Sequence, residues 1–241
     1  MTTGRPYQNP GFIHHERGGT VQNVREVVFG IQDGMVSTLG AITGIAVGSG
    51  QIFVVLLSGI AIIAVESISM GIGSYVSGRS EKKLMERMLN EERQEIRESP
   101  KFEEEELRGL FIGDGWSGET ADIMVREAAG NKKLMLREMA YRELNISPDM
   151  DEHPIRGGIY MFVAYIIGGG IPLLPYFFLP ITTATPVSVV VTLVGLFVLG
   201  AGIGTYTKET WYKTGLHVLF FGTIALLVGY LVGVLSHTVA S

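Results

Sequence analysis

The chain has 241 residues, 46% of them hydrophobic, with a mean hydropathy of +0.30. Its unbroken apolar runs argue against an ordinary soluble domain. A formal charge of −5 argues against a nucleic-acid partner, and the lack of any cysteine excludes disulfides, thiolate metal sites and redox pairs.

Residues 1–23 form a polar arm with no apolar core of the signal-peptide kind, so the first spanning helix is expected to serve as its own insertion signal. His14, His15 and Glu16 offer donors for a metal, although a solvated tail is the simpler account. Residues 24–48 follow, and at about 1.5 Å per residue they are long enough to cross the hydrocarbon. Asp33 lies well inside this stretch. A carboxylate there costs several kcal/mol unless it faces a polar path or a bound cation. Gly30 and Gly34, then Gly40, Gly44 and Gly48, mark a face another helix can approach closely. Arg25 and Glu26, at the start, can pair with each other or with charges on neighbouring helices.

After a short turn at 49–51, a second span covers residues 52–77. Glu66 and Met70 lie one turn apart on one face. Met70 alone reads as packing as readily as a ligand. Glu66 is an intramembrane acid and so a functional candidate. Asp33 lies eight residues after Arg25, and Met70 nine before Arg79. If both arginines mark one interface, each side chain sits roughly 12–14 Å from it. Asp33 and Met70 can then meet at one level, with Glu66 a turn deeper.

Residues 79–156 are strongly charged. Their first part continues the second span as a polar helix, which Ser99-Pro100 stops. A short helix is expected over 102–111, a turn at 113–115, and a third helix over 117–145 with Ser117 as its cap and a break at Gly130-Asn131. Pro148 closes the module. Glu92 and Glu95, and Glu103 and Glu106, are spaced i to i+3, so each pair presents two carboxylates on one helical face. Met139 and Glu143 share a face of the third helix. Carboxylates with a thioether suit Fe²⁺, Mn²⁺ and similar first-row ions, and the carboxylates alone would also accept Ca²⁺. Spacing alone fits a solvated helix laced with Lys/Glu pairs equally well. The run from Glu103 to Glu106 favours a cation, because like charges this close repel. A di-iron oxidase needs Glu-x-x-His pairs; His153 is the module's only histidine and no Glu precedes it by three residues.

Residues 157–180 form the third span, bent near its end by Pro172 and Pro175. Residues 187–207 are the fourth and 214–236 the fifth, where Gly229 and Gly233 form another close-packing pair and His217 reads as a packing or interfacial residue. The loops at 49–51 and 182–186 and the C-terminal tail carry no Lys, Arg, Asp or Glu. The basic residues gather in the arm, the module, the loop at 208–213 and adjoining helix ends. By the positive-inside rule these are cytosolic, and the C-terminus is outside or lumenal.

In pattern and order the chain resembles the vacuolar iron transporter family. REVVFGIQDGMVS is similar to that family's first-helix signature, with its Asp-Gly pair at Asp33-Gly34. SISMGIGSYVSGRSE is similar to the second-helix signature, with the membrane methionine at Met70, and GGGIPLLPYFF to the third-helix segment. The resemblance implies a cytosolic three-helix metal-binding domain between spans two and three, with Glu92, Glu95, Glu103, Glu106, Met139 and Glu143 as ligands. It implies a homodimer whose ion path uses Asp33 and Met70, and exchange of ferrous iron for protons. Glu66 has no counterpart that the resemblance supplies, and its place in the path rests on burial alone.

The expected protein is therefore all-α, polytopic and no enzyme. It comprises an arm at 1–23, spans one and two at 24–78, the acidic module at 79–156 and spans three to five at 157–241. It would move Fe²⁺, or Mn²⁺ and other divalent first-row metals, out of the cytosol in exchange for protons. Its partners would be metal ions, protons, the bilayer and a second copy, with no permanent cofactor. Two other readings stand beside this: a membrane-anchored metal sensor or buffer without transport, and a transporter of an organic solute with a merely structural module.

Overall fold

The computed structural model describes residues 19–146 and 153–240, and every regular element among them is helical. The residues His14, His15, Glu16 and Pro148, singled out above, lie outside the described residues. In chain order the helices are α1 (Gly19–Ser49), α2 (Ile52–Glu98), α3 (Pro100–Gly113), α4 (Gly118–Ala129), α5 (Lys132–Arg142), α6 (Pro154–Leu173), α7 (Ile181–Tyr206) and α8 (Trp211–Ala240). They fall into two compact units, one containing Ser77–Glu152 and the other Val21–Val76 with His153–Ser241. Helix α2 contributes residues to both.

In the charged unit, local chemistry sets the boundaries. Pro100 opens α3, where its missing N–H is no loss, and Ser99 stands outside the helix. Ser117 Oγ accepts the Thr120 N–H at 3.3 Å and starts α4. Gly130 ends α4, and Asn131 Oδ1 accepts the N–H groups of Lys133 and Leu134 at 3.1 and 3.3 Å to start α5. The helix expected over 117–145 is thus divided at Gly130-Asn131, where the break was expected, because an Asn cap satisfies α5's first donors there. Ile96, Leu107, Phe111, Ala121, Val125, Ala128, Met135 and Met139 form the apolar core of this unit. Arg108 and Asp122 tie α3 to α4 at 2.5 Å. Arg142 pairs with Asp114 and lies 4.3 Å above the Phe111 ring.

In the other unit, four helices among the described residues are long and apolar enough to cross a membrane: those at Ile52–Glu98, Pro154–Phe177, Ile181–Tyr206 and Trp211–Leu235. The apolar windows of the first and last are only 17% and 11% buried inside the protein, so their outer faces require lipid. The expected count was five. Helix α1 falls short because Gln32, Asp33 and many Gly, Ser and Thr residues dilute it. It is instead the most enclosed helix: Met35, Thr38, Leu39 and Ile42 are fully buried.

The glycines explain that enclosure. A Cβ on Gly34 would lie 2.5 Å from the Tyr165 carbonyl oxygen of α6, and one on Gly229 of α8 would lie 2.0 Å from the Gly40 carbonyl oxygen. At Gly233 it would meet the Gly44 carbonyl at 2.4 Å. These helices touch backbone to backbone, which only glycine allows. Close contact at this spacing suited a second copy of the chain equally well. The structure uses Gly30 and Gly34 against α6, and Gly40 and Gly44 against α8, within one chain. Pro172 sits one residue before α6 ends at Leu173, and the chain tightens into a 3-10 turn at Leu174–Phe177, which is where the prolines were expected to break or kink the span. The carbonyl of Pro172 is satisfied by the buried Ser188 hydroxyl at 2.6 Å.

Candidate metal centre and membrane site

The charged unit brings the module glutamates together. Glu92 comes from α2, Glu103 from α3, and Glu143 from the residue that ends α5. Glu92 and Glu103 are each 3% exposed. The Glu92 and Glu143 carboxyls are close enough to act on one another, and burial favours a proton on each. Burial pushes the Glu92 carboxyl up to about 8, with the charges of Glu143, Glu103 and Glu95 adding to it. Glu103 is raised by burial and by Glu106, Glu95 and Glu143. Glu143 is raised by burial, with Glu106 and Glu95 contributing. The five acids therefore act on one another as a single cluster. One oxygen of Glu92 and one of Glu103 are buried with no hydrogen-bond partner. An orphaned buried carboxylate oxygen is unfavourable unless a proton or a cation reaches it.

Among the described residues no three His, Cys, Asp or Glu side chains stand in a ready-made metal cage. The glutamates are gathered closely enough to act on one another without forming such a cage. Met139 is fully buried within the unit's apolar core, so packing accounts for its position. Its carbonyl accepts the Glu143 N–H at 2.8 Å, which places the two residues one turn apart.

In the membrane unit, Asp33 is half-buried on α1 and stands within electrostatic range of Glu66 on α2. The Tyr165 hydroxyl of α6 donates to Glu66 Oε2. The same hydroxyl meets Ser37 Oγ at 2.5 Å. Tyr165 is itself fully buried. Three helices thus meet at one hydrogen-bonded chain, Ser37–Tyr165–Glu66, with Asp33 one turn before Ser37. Met70 is half-buried one turn beyond Glu66. Seven residues before Asp33, Glu26 is 7% exposed, pairs with Arg25 at 3.1 Å and accepts the Ser74 hydroxyl at 3.0 Å. Glu26, Asp33 and Ser37 fall on one polar stripe of α1.

Sequence reasoning passed over Ser37, Ser74 and Tyr165. One signal was present: a tyrosine inside an otherwise aliphatic span must find a partner for its hydroxyl, and Glu66 was an unpartnered acid in the same layer.

Lipid-facing helices, intramembrane carboxylates and a separate acidic helical unit define an integral membrane protein built around charged groups. The model of the VIT family matches residues 24–234, and the chain belongs to that family. It is 30% identical over 203 residues to "Vacuolar iron transporter 1" of Arabidopsis thaliana, covering 84% of this chain and 81% of that protein. It is 30% identical over 213 residues to "Vacuolar iron transporter" of Centaurea cyanus, covering 88% and 86%. Against "Vacuolar iron transporter" of Toxoplasma gondii it is 30% identical over 226 residues, covering 90% and 75%. These relatives are transporters by name, and the chain is a membrane protein of a transporter family rather than an enzyme.

Proposed function

We propose that this protein moves Fe²⁺, and other divalent first-row metals such as Mn²⁺, out of the cytosol in exchange for protons. The observation that carries the reading is the acidic cluster of the charged unit. Two fully buried glutamates from different helices each leave an oxygen unsatisfied, and three more acids crowd them. Such an arrangement stores protons when empty and gives them up to a divalent cation. The names of the relatives support iron as cargo.

On this reading Glu92, Glu95, Glu103, Glu106 and Glu143 capture the ion in the cytosol, with the Met139 thioether available to a softer metal after a small rearrangement. Asp33 and Met70 take it in the membrane. Helix α1 is the fifth span: its low hydropathy reflects enclosure by α6 and α8 rather than a place outside the bilayer. The arm, the charged unit and the 208–213 loop are cytosolic and the C-terminus is on the far side, as the distribution of basic residues requires. The working form is a homodimer.

The test is reconstitution into liposomes under an imposed pH gradient with Fe²⁺, Mn²⁺, Co²⁺, Zn²⁺ and Ca²⁺ in turn. Metal uptake with opposite proton movement, strongest for Fe²⁺, is the expected result. Tight metal binding without flux would leave a sensor or buffer. No metal binding at all by the purified protein would point to an organic solute.

A further inference from the structure

The membrane unit contains a hydrogen-bonded chain that the metal path does not account for. Tyr165 has one O–H, and it donates that proton to Glu66. The contact between Tyr165 and Ser37 must then run the other way, with the Ser37 hydroxyl donating to the tyrosine oxygen at 2.5 Å. The chain therefore has a direction: Ser37 to Tyr165 to Glu66. Both ends lead somewhere. Glu66 is a carboxylate of α2 within the electrostatic reach of Asp33. Ser37 lies in the wall of a cleft of about 690 Å³ between α1 and α8 that extends to Ser49. The rest of that wall is glycine, alanine, valine and isoleucine, so Ser37 and Ser49 are its hydroxyls. Tyr165 between them is wholly buried.

We propose that Ser37 and Tyr165 form a proton relay between the α1–α8 cleft and Glu66, separate from the metal ligands, and that this relay carries the exchanged proton. The inference rests on the reading of the protein as a proton-coupled metal transporter. A hydronium ion that enters the cleft gives its proton to Ser37 Oγ and is left as water, while the serine passes its own proton to the Tyr165 oxygen. The tyrosine proton passes to Glu66 Oε2. Both hydroxyls end with one proton each and Glu66 with one more, so the net event is transfer of a single proton. The reverse sequence discharges Glu66. The charged groups that bear on Tyr165 are Glu66 itself and Asp33. A cation held at Asp33 would favour the ionised form of Glu66 and send its proton back along the relay, which links metal occupancy to proton movement by charge alone.

The test uses the full chain in liposomes loaded with a pH-sensitive dye. Fe²⁺ and Mn²⁺ are the probes, and metal entry and proton movement are read in parallel. Tyr165→Phe preserves the buried ring and removes only the hydroxyl. It is expected to lower metal-driven proton movement by roughly tenfold or more and to flatten the pH profile of metal uptake. Ser37→Ala, a smaller change at a half-buried position, is expected to do the same and serves as the second variant should the first misfold. Thermal melting and calorimetric Mn²⁺ binding establish that each variant is folded and that its charged unit is intact. If both variants exchange protons for metal like the wild type, the relay is wrong while the transporter reading survives. If the wild type moves metal with no proton counterflow, the coupled reading fails and the relay falls with it.

Discussion

Replacing Glu92 by glutamine tests the acidic cluster directly. The folded unit raises this carboxyl from 4.5 to about 8, so folding favours the protonated form over the ionised one by at most on the order of 5 kcal/mol more than the unfolded chain does. A folded value above the unfolded one means stability that is complete below pH 4.5 and lost as pH rises through about 8. The metal-free wild type should therefore melt at progressively lower temperature between pH 5 and pH 9. Even a third of the preference, about 1.5 kcal/mol, would lower the melting temperature by roughly 3–6 °C. Glutamine keeps the shape and stays uncharged at every pH, so Glu92→Gln should show a shallower decline. The slope will not vanish, because Glu103 and Glu143 are also raised. The same proton should appear in calorimetry of Mn²⁺ binding performed in two buffers of different ionisation heat. At pH 6.5 the wild type should release about one more proton per ion than Glu92→Gln does. Identical melting slopes and identical proton counts in the two proteins would refute the claim that Glu92 stores a proton which metal displaces.

Other expectations follow from the same geometry. Asp33→Ala should abolish metal uptake in liposomes and leave Mn²⁺ binding at the charged unit intact; uptake at the wild-type rate would remove Asp33 from the path. Changing Glu103 and Glu106 together to alanine should weaken metal binding by at least the roughly tenfold that loss of an outer-shell partner costs, read by calorimetry. Gly229→Ala places a methyl 2.0 Å from the Gly40 carbonyl oxygen and should cost about 3 kcal/mol in thermal melting. Gly202→Ala is the control, because nothing lies within 4 Å of the added carbon.

Much of the fold is local and was legible. Charge replaces apolarity at Arg79 while the helical spacing continues, and α2 runs on to Glu98. Ser99-Pro100 closes one helix and opens the next. The glycine spacing of α1 and α8 announced close packing, though not with what, since spacing does not distinguish a neighbour in the same chain from a second copy. The paired glutamates were legible as facing pairs. Their union across three helices depends on the α3–α5 fold. Tyr165 and Glu66 are 99 residues apart in sequence, and only tertiary packing brings them together. Met139 shows the opposite limit: helical spacing placed it one turn from Glu143, but its burial is decided by the Phe111 and Leu107 side chains around it. Helix α1 escaped the hydropathy criterion for a physical reason. A helix walled in by other helices need not be greasy, and on the proposed reading of α1 as a span Asp33 and Ser37 are tolerable because neighbouring helices pack around them.

The glycine seams also constrain how the molecule can move. Where two backbones rest on each other with no side chain between them, as at Gly40 with Gly229 and Gly44 with Gly233, there is no rotamer to flip and no slack to take up. Helices α1 and α8 must travel as a single stiff lever. On the proposed transporter reading, a stroke that exposes Asp33 first to one side of the membrane and then to the other pivots at joints away from that seam, and Gly50, with its positive φ of 63° in the link to α2, is one such joint.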